Sequence, residues 1–318
     1  MSASIEFPRG ETQFSFEFCP PRTPIAARRI DRAIDRIAAF EHPSVSFVSV
    51  TYGAGGSPRE DTVQLVQRIS ERTGVRVIPH VCGAGHTKRE VAALVERYRA
   101  MGIGAVLALA GDPRESEAHE QTPPAFRFGQ DVVRFLREEE IEALAPRPAP
   151  LCIGVAGYPE GHRNAPDRLR EIDDLKRKVD AGANFICTQL FYSNELFFDF
   201  RERCELAGIE VPIVAGILPI ISIEQMRRVA RFANRTQFPA KLIRRLESAG
   251  GDREGEKEAG REAAREQCVE LMREGVRGIH LYTLNRPKQT LDLYADLRGE
   301  RRTERFDEEK GREPALTE

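Results

Sequence analysis

Short apolar segments with high β-strand propensity alternate along this chain with longer amphipathic segments, and this alternation constrains the fold more than any other feature. Eight units of strand followed by helix occur in strict order. That order is typical of a parallel sheet, and eight units of this size favour a single closed (β/α)₈ TIM barrel of the α/β class. An open, doubly wound sheet remains the alternative.

The expected elements follow from composition and from local start and stop signals. We predict strands over residues 13–18, 46–52, 76–81, 105–110, 151–158, 185–192, 212–218 and 278–284. We predict helices over residues 24–40, 58–73, 87–101, 130–140, 167–181, 194–207, 222–234 and 287–299. Ser57-Pro58 and Thr87 are typical of helix N-termini. Four glycines stand where helices should end, namely Gly74, Gly102, Gly182 and Gly208.

Two segments do not follow the repeat. Residues 239–274 predict an extra helical insertion before the eighth strand, and residues 299–318 form a charged tail that we expect to be disordered. The predicted barrel domain therefore spans residues 1–298. The 318 residues include 48 Lys and Arg against 50 Asp and Glu. This balance argues against a dedicated nucleic-acid binder, which normally has a basic excess.

Cysteine usage and the termini bear on the cellular compartment. The six cysteines are scattered and form no C-x-x-C pair. We therefore expect neither a disulfide framework nor a zinc or other metal site. The N-terminus lacks the order of a signal peptide, and the chain has no run of 18 apolar residues, so we expect no membrane span. A reducing cytoplasm is the simplest prediction.

Polar residues at the strand ends indicate where chemistry would occur, because a barrel places its active site at the carboxyl ends of its strands. Strand alternation points Ser15 and Glu17 into the barrel. A carboxyl desolvated there would have a raised pKa, which suits a general acid. The alternative is a buried carboxylate in a structural ion pair. His80 ends the third strand, where a lone histidine is more often a structural group than a catalyst.

Two glycine-rich loops follow strands but lack the spacing of known phosphate motifs. Residues 53–56 do not have the third glycine of a dinucleotide fingerprint, and residues 83–88 do not end in Gly-Lys-Ser/Thr. Tight βα turns are the better interpretation. Acid, amide, imidazole and guanidinium groups nevertheless fall near one rim, which indicates an enzyme active site. Small residues, Tyr and amides in this mouth suit a large organic cofactor better than a metal.

The strand ends resemble the flavoprotein 5,10-methylenetetrahydrofolate reductase family. The matching segments occur in family order at residues 14–23, 47–54, 109–112, 158–162, 174–184, 188–191, 216–219 and 280–286. The resemblance implies a TIM barrel that holds FAD, uses NADH or NADPH, and reduces 5,10-methylenetetrahydrofolate to 5-methyltetrahydrofolate for methionine synthesis. It also implies a homo-oligomer, either dimer or tetramer.

The resemblance also implies a role for each matching residue. Glu17 matches the general acid, and Asp112 matches an aspartate beside flavin and folate whose charge favours a cation. The substrate-binding positions are Asp112, Gln189, Gln225, Tyr282 and Arg286. The positions that match flavin or nicotinamide contacts are Thr51, Tyr52, Ala54, His80, Ala110, Gly111, Asp112, Phe128, Gly129, Tyr158, His162, Ala165, Asp174, Arg177 and Lys178.

Three positions depart from the family pattern. Ala110 replaces an arginine, Phe128 replaces a tyrosine, and Val229 replaces an aromatic side chain that would stack on a ring. The loss of an arginine removes a charged anchor for FAD, unless another residue such as Arg114 substitutes. Read without the resemblance, Arg177 and Lys178 form a solvated ion-pair face. The alternative functions are a divergent member with weak or no flavin binding, and a non-catalytic barrel that binds folate or a partner.

Overall fold

Eight parallel strands form a closed barrel in which each strand pairs with the next along the chain and β8 pairs with β1. This computed structural model describes residues 5–8, 10–40, 45–52, 59–111, 125–141, 149–162, 165–233 and 235–299. The strands are β1 (Gln13–Phe18), β2 (Val45–Val50), β3 (Arg76–Cys82), β4 (Ala105–Leu109), β5 (Cys152–Gly157), β6 (Phe185–Thr188), β7 (Ile213–Ile217) and β8 (Gly278–Tyr282). The predicted TIM barrel is confirmed.

Helices surround the barrel between successive strands. They are α1 (Pro24–Ala38), α2 (Arg59–Thr73), α3 (Lys88–Ala100), α4 (Gly129–Ile141), α5 (Arg168–Asp180), α6 (Asn194–Leu206), α7 (Ile223–Phe232), α8 (Ala240–Glu247), α9 (Arg253–Arg273) and α10 (Pro287–Arg298). Thr87 caps α3 through a reciprocal capping box with Glu90, as its sequence predicts. The four predicted end glycines all have positive φ. The Ser57-Pro58 signal lies outside the described residues.

The sixth strand is shorter than its sequence predicts. We expect strand to residue 192, but β6 ends at Thr188. The side chain of Gln189 accepts a hydrogen bond from the backbone N–H of Leu190 at 2.9 Å. This local bond gives the backbone a partner outside the ladder, so the chain leaves the sheet early.

The predicted insertion before the eighth strand is confirmed as the pair α8 and α9. Helix α9 packs against the loop that follows β7, and Gly260 is the point of contact. A Cβ atom on Gly260 would lie 1.5 Å from the carbonyl oxygen of Ile220. Only glycine allows this approach, so the insertion is fixed to the carboxyl-end face of the barrel. Residues 300–318 of the charged tail lie outside the described residues.

Two apolar layers stabilise the barrel. The larger layer lies between the strands and the helices, where Phe14 and Phe16 pack edge-on against Tyr294 of α10 with ring centroids 5.3 and 5.5 Å apart. A smaller cluster fills the barrel at the amino ends of the strands, with Phe7, Phe47 and Phe185 at its centre. The interior is therefore apolar at one end, which leaves the other end for polar side chains.

Candidate active site

Glu17 lies inside the barrel mouth, because β1 alternates between the two faces of the sheet. Its neighbours Phe16 and Phe18 face the helices, as the sequence predicts. Its register partners are Ser49 on β2 and Tyr282 on β8, so the acid sits at the last rungs of the pairing that closes the barrel.

The carboxyl group of Glu17 is buried, with 9% of the residue exposed. Burial raises its pKa from 4.5 to about 8, since the charged form loses hydration and gains no cation in return. His80 Nε2 lies 3.5 Å from Glu17 Oε2. Burial also lowers the pKa of His80 to about 4. At neutral pH both groups are therefore uncharged, and the alternative of a structural ion pair does not fit them.

A second histidine lies in the barrel interior, one layer below Glu17. His280 Nδ1 is 2.7 Å from Ser15 Oγ, and Nε2 is 3.1 Å from Ser49 Oγ. Burial and then the nearby His80 lower its pKa to about 3, so the ring is neutral. His280 received no role from its sequence pattern. Its inward parity with Tyr282 on β8 was the signal that could have placed it here.

The rim near β6 and β8 is fixed by hydrogen bonds to backbone atoms. The Tyr282 hydroxyl donates to the carbonyl oxygen of Thr188 at 2.7 Å, and the backbone N–H of Gly216 donates to Thr188 Oγ1 at 2.9 Å. A Cβ atom on Gly216 would lie 2.7 Å from the Tyr282 ring. The glycine therefore makes room for the tyrosine, which holds this side of the mouth in one position.

The resemblance assigns two amides to the substrate site, those of Gln225 and Gln189, and their environments differ. Gln225 is buried at the start of α7, where its Oε1 accepts from the N–H of Ile221 at 2.8 Å and its Nε2 donates to the carbonyl of Pro219 at 3.4 Å. Both polar ends are thus used to hold the loop after β7. Gln189 is half-buried and its Oε1 accepts from its own neighbour.

Val229 is not at the surface of the mouth, contrary to the position that the resemblance implies for it. The side chain is fully buried in a cluster under α8 with Leu190, Leu218 and Leu246. The reason is the amphipathic pattern of α7, which turns its apolar face toward α8. Replacing an aromatic residue by valine here changes a packing contact.

The rim near β4 and β5 carries most of the predicted cofactor positions. Lys178 reaches inward from α5, and its Nζ donates to the carbonyl oxygen of Ala156 at 3.0 Å while lying 5.6 Å from the Tyr158 ring centroid. Burial lowers its pKa to about 8. Tyr158 packs edge-on against His162 with ring centroids 4.5 Å apart. Gly129, at the start of α4, lies beside the Lys178 side chain.

The ion-pair interpretation of this helix holds for only part of it. Arg177 pairs with Asp174 three residues earlier on the exposed side of α5. Arg170 also approaches Asp174, at 3.4 Å. Lys178 is instead half-buried and points inward, because one residue further along a helix turns the side chain by about 100°. Of the three predicted cofactor positions on α5, Asp174 and Arg177 therefore lie on its exposed side, and Lys178 lies at the rim.

The remaining predicted positions are distributed around this rim. Phe128 is 52% exposed and lies beside the guanidinium group of Arg127. Ala165 accepts a hydrogen bond from Arg235 Nη2 at 3.2 Å. Arg286 is the residue just before α10. The predicted positions Ala54 and Asp112, together with Arg114, lie outside the described residues.

The glycine-rich loop after β3 makes a contact that its sequence pattern did not predict. His86 Nε2 lies 2.6 Å from the Tyr52 hydroxyl, and its Nδ1 lies 2.6 Å from the carbonyl oxygen of Ala84. Only a donor at Nδ1 satisfies that carbonyl, so Nε2 accepts from Tyr52. The rejected phosphate-loop pattern thus contains a residue that orients a predicted cofactor contact, namely His86.

Glu160 is a second acid that received no role from the sequence. It is buried in the loop after β5, and burial raises its pKa to about 7. Its Oε2 accepts from the backbone N–H of Gln237 at 2.9 Å, which joins this loop to the segment before α8. Within the described ranges, three or more His, Cys, Asp or Glu side chains nowhere gather closely enough to hold a metal ion.

Comparisons with known proteins are decisive for the family. The methylenetetrahydrofolate reductase family model matches residues 1–298. The chain is 35% identical over 291 residues to the 5,10-methylenetetrahydrofolate reductase of Escherichia coli, covering 91% of this chain and 92% of that protein. This chain belongs to the methylenetetrahydrofolate reductase family. The resemblance inferred from the strand ends is confirmed.

A longer relative and a solved structure are also similar to this chain. It is 33% identical to methylenetetrahydrofolate reductase (NADH) 1 of Arabidopsis thaliana, covering 91% of this chain and 49% of that protein. A solved Clostridium thermocellum protein that binds two copies of 5-methyl-5,6,7,8-tetrahydrofolic acid has a TM-score of 0.59 and 14% identity. That match covers 92% of this chain and 96% of the other. At that identity, the likeness supports the fold alone.

The residues at the β3, β4 and β5 ends are compatible with the flavin that the family implies. His80 Nε2 is buried and has no hydrogen-bond partner among the described atoms. Lys178 is a half-buried cation that could meet an anionic group at the same rim. The site therefore offers a buried polar atom without a hydrogen bond and a cation.

Proposed function

We propose that this protein reduces 5,10-methylenetetrahydrofolate to 5-methyltetrahydrofolate with NADH or NADPH and bound FAD. The observation that carries this proposal is the environment of Glu17, a buried carboxyl in the mouth of a barrel from this family. With a pKa of about 8, it keeps its proton at neutral pH. Ring opening of the folate needs a proton donor, and a neutral carboxyl can act as one.

Glu17 acts as the general acid in this mechanism. It delivers its proton to the folate nitrogen that leaves as the five-membered ring opens, and the carbon left behind becomes a cationic iminium. The charge of Asp112 would favour that cation. His80, neutral and 3.5 Å from the acid, adds no positive charge that would draw the proton off earlier. Tyr282, Gln189 and Arg286 would position the folate.

The cofactor would lie along the β2–β5 side of the mouth. When bound, FAD supplies the hydride path between the nicotinamide and the folate. Tyr52 with its partner His86, Tyr158 and Lys178 would hold it, and the small residues Ala110 and Gly111 would admit it. We also propose, from the resemblance, a cytoplasmic homo-oligomer; the six cysteines are free thiols, which suits a reducing compartment.

The visible spectrum of the purified protein tests the proposal. We expect flavin absorption that NADH or NADPH bleaches without oxygen, and that 5,10-methylenetetrahydrofolate restores. A protein that stays colourless when FAD is added would contradict the role of flavin. A flavin that is bleached by NADH but not restored by folate would favour a different electron acceptor. Folate binding with neither change would support the non-catalytic alternative.

A further inference from the structure

Hydrogen bonds join the loop after β8 to the backbone of Glu17 and of Cys19. Backbone pairing between β1 and β8 ends at Glu17 and Tyr282. Beyond that rung, Thr283 Oγ1 donates to the carbonyl oxygen of Glu17 at 2.6 Å. The contact uses the backbone of the acid itself, so the position of its Cα depends on the β8 loop.

Asn285 continues this connection with its side-chain amide. Its Nδ2 donates to the carbonyl oxygen of Cys19 at 3.0 Å, and its Oδ1 accepts from the backbone N–H of Cys19 at 3.0 Å. This reciprocal pair continues the bonding between the two segments beyond the last rung of the β1–β8 ladder. The amide thus acts as one more rung across the barrel seam, two residues after the acid.

The backbone of the loop is shaped to present this amide. Leu284 and Asn285 have φ values of 44° and 55°, in the left-handed region that side chains disfavour. Asparagine adopts this region more readily than most residues, and its own N–H is 3.1 Å from Thr283 Oγ1 as donor. The next residue is Arg286, whose N–H donates to the carbonyl of Thr283 at 2.8 Å. The tight turn over residues 283–286 is therefore hydrogen-bonded to Glu17 at its first residue and ends at Arg286.

We propose that Asn285 is a positioning residue that sets Glu17 and Arg286 relative to each other for folate reduction. The inference rests on the proposed function, since it assigns the acid and the arginine to one substrate. Asn285 does not need to touch the substrate. Its amide holds together the chain after β1, which carries Glu17, and the loop after β8, which carries Arg286, where these two strands close the barrel. Flavin reduction, which takes place on the β2–β5 side, does not depend on it.

Two substitutions separate the amide from the backbone shape. Asn285→Gly keeps the left-handed turn and removes both bonds, while Asn285→Asp keeps the acceptor and removes the donor to Cys19. Asn184→Ala is the matched control, because Asn184 Oδ1 also accepts from a backbone N–H, that of Ile153 at 2.8 Å, but at the amino ends of the strands. We expect flavin reduction by NADH to stay within about 2-fold of wild type in all three.

Folate reduction should respond differently. We expect a fall in kcat of about 10-fold to 100-fold in Asn285→Gly, since a misplacement near 1 Å has that effect on catalysis. Asn184→Ala should keep the wild-type rate at a temperature where it is folded. In Asn285→Asp, the added negative charge should move the high-pH limb of folate reduction to higher pH, because it disfavours ionised Glu17.

A spectroscopic measurement keeps the test independent of turnover. Difference infrared spectroscopy of the FAD-loaded protein should show a protonated carboxyl band that is lost in Glu17→Gln and titrates at a changed pH in both Asn285 variants. Wild-type folate turnover and an unchanged band in Asn285→Gly, each equal to the control, would overturn the positioning role. A wild-type protein with no folate turnover would instead refute the proposed function, and the infrared comparison would still decide the role of Asn285.

Discussion

The two ends of the barrel interior are built from the same strands but have opposite chemistry. At the amino ends, Phe7, Phe47 and Phe185 pack together with centroids 5.8 and 6.0 Å from the Phe185 ring. At the carboxyl ends, Glu17 and His80 are equally buried but polar and uncharged. Burial of the phenylalanines stabilises the folded state, whereas burial of the acid and the imidazole destabilises it. The stabilisation at the amino ends therefore offsets the cost of a buried acid at the carboxyl ends.

The largest effect should come from removing the acid. Glu17→Gln keeps the size and burial of the side chain but carries no proton to donate. We expect folate reduction to fall by about 10²- to 10⁴-fold, the range for a general acid. Stopped-flow absorbance at the flavin band should show that NADH still reduces the cofactor at a rate close to wild type. Normal folate turnover in this variant would remove Glu17 from its assigned role.

The apolar end should affect stability without affecting the chemistry. Phe185→Ala removes a ring that is 1% exposed, and we expect the free energy of unfolding to fall by about 3–5 kcal/mol in urea titrations. Leu206→Ala is the control, because Leu206 is 83% exposed and its loss should cost about 0.5 kcal/mol or less. The pH profile of folate reduction in the folded fraction should not change. A shifted profile would mean that the two ends are coupled.

Stability should also depend on pH through Glu17. The unfolded chain ionises this carboxyl above pH 4.5, while the folded protein holds the proton up to about pH 8. The contribution of Glu17 to the free energy of unfolding should therefore be largest below pH 4.5 and decrease toward pH 8, by about 1.4 kcal/mol per pH unit. Glu17→Gln lacks this slope, so the difference between the two proteins isolates it. Parallel curves for wild type and variant would show that the acid is ionised in the folded state.

Much of this contrast could be predicted from the sequence, because strand alternation is a local property. It placed Glu17 inward and the flanking phenylalanines outward, and eight strand–helix units predicted the closed barrel. It did not predict that Lys178 points inward while Arg177 is exposed, since the rotation of a helix against its sheet depends on packing. It also missed the Tyr52–His86 contact and the amide of Asn285, because both join segments whose proximity only the closed barrel defines.

The smallest expected effect concerns the departure at Ala110. This residue is half-buried at the end of β4, and its backbone N lies close to Gly129 at the start of α4. Ala110→Arg would place a guanidinium beside that helix N-terminus, where an anionic group of the cofactor could be bound. We expect the FAD dissociation constant to fall about 10-fold, which corresponds to about 1.4 kcal/mol. Fluorescence titration of the apoprotein measures this constant. Ala110→Gln adds a polar side chain without the charge and should bind FAD like wild type. Equal tightening in both variants would assign the gain to packing, and no change in either would mean that another cation, such as Lys178, already supplies the anchor.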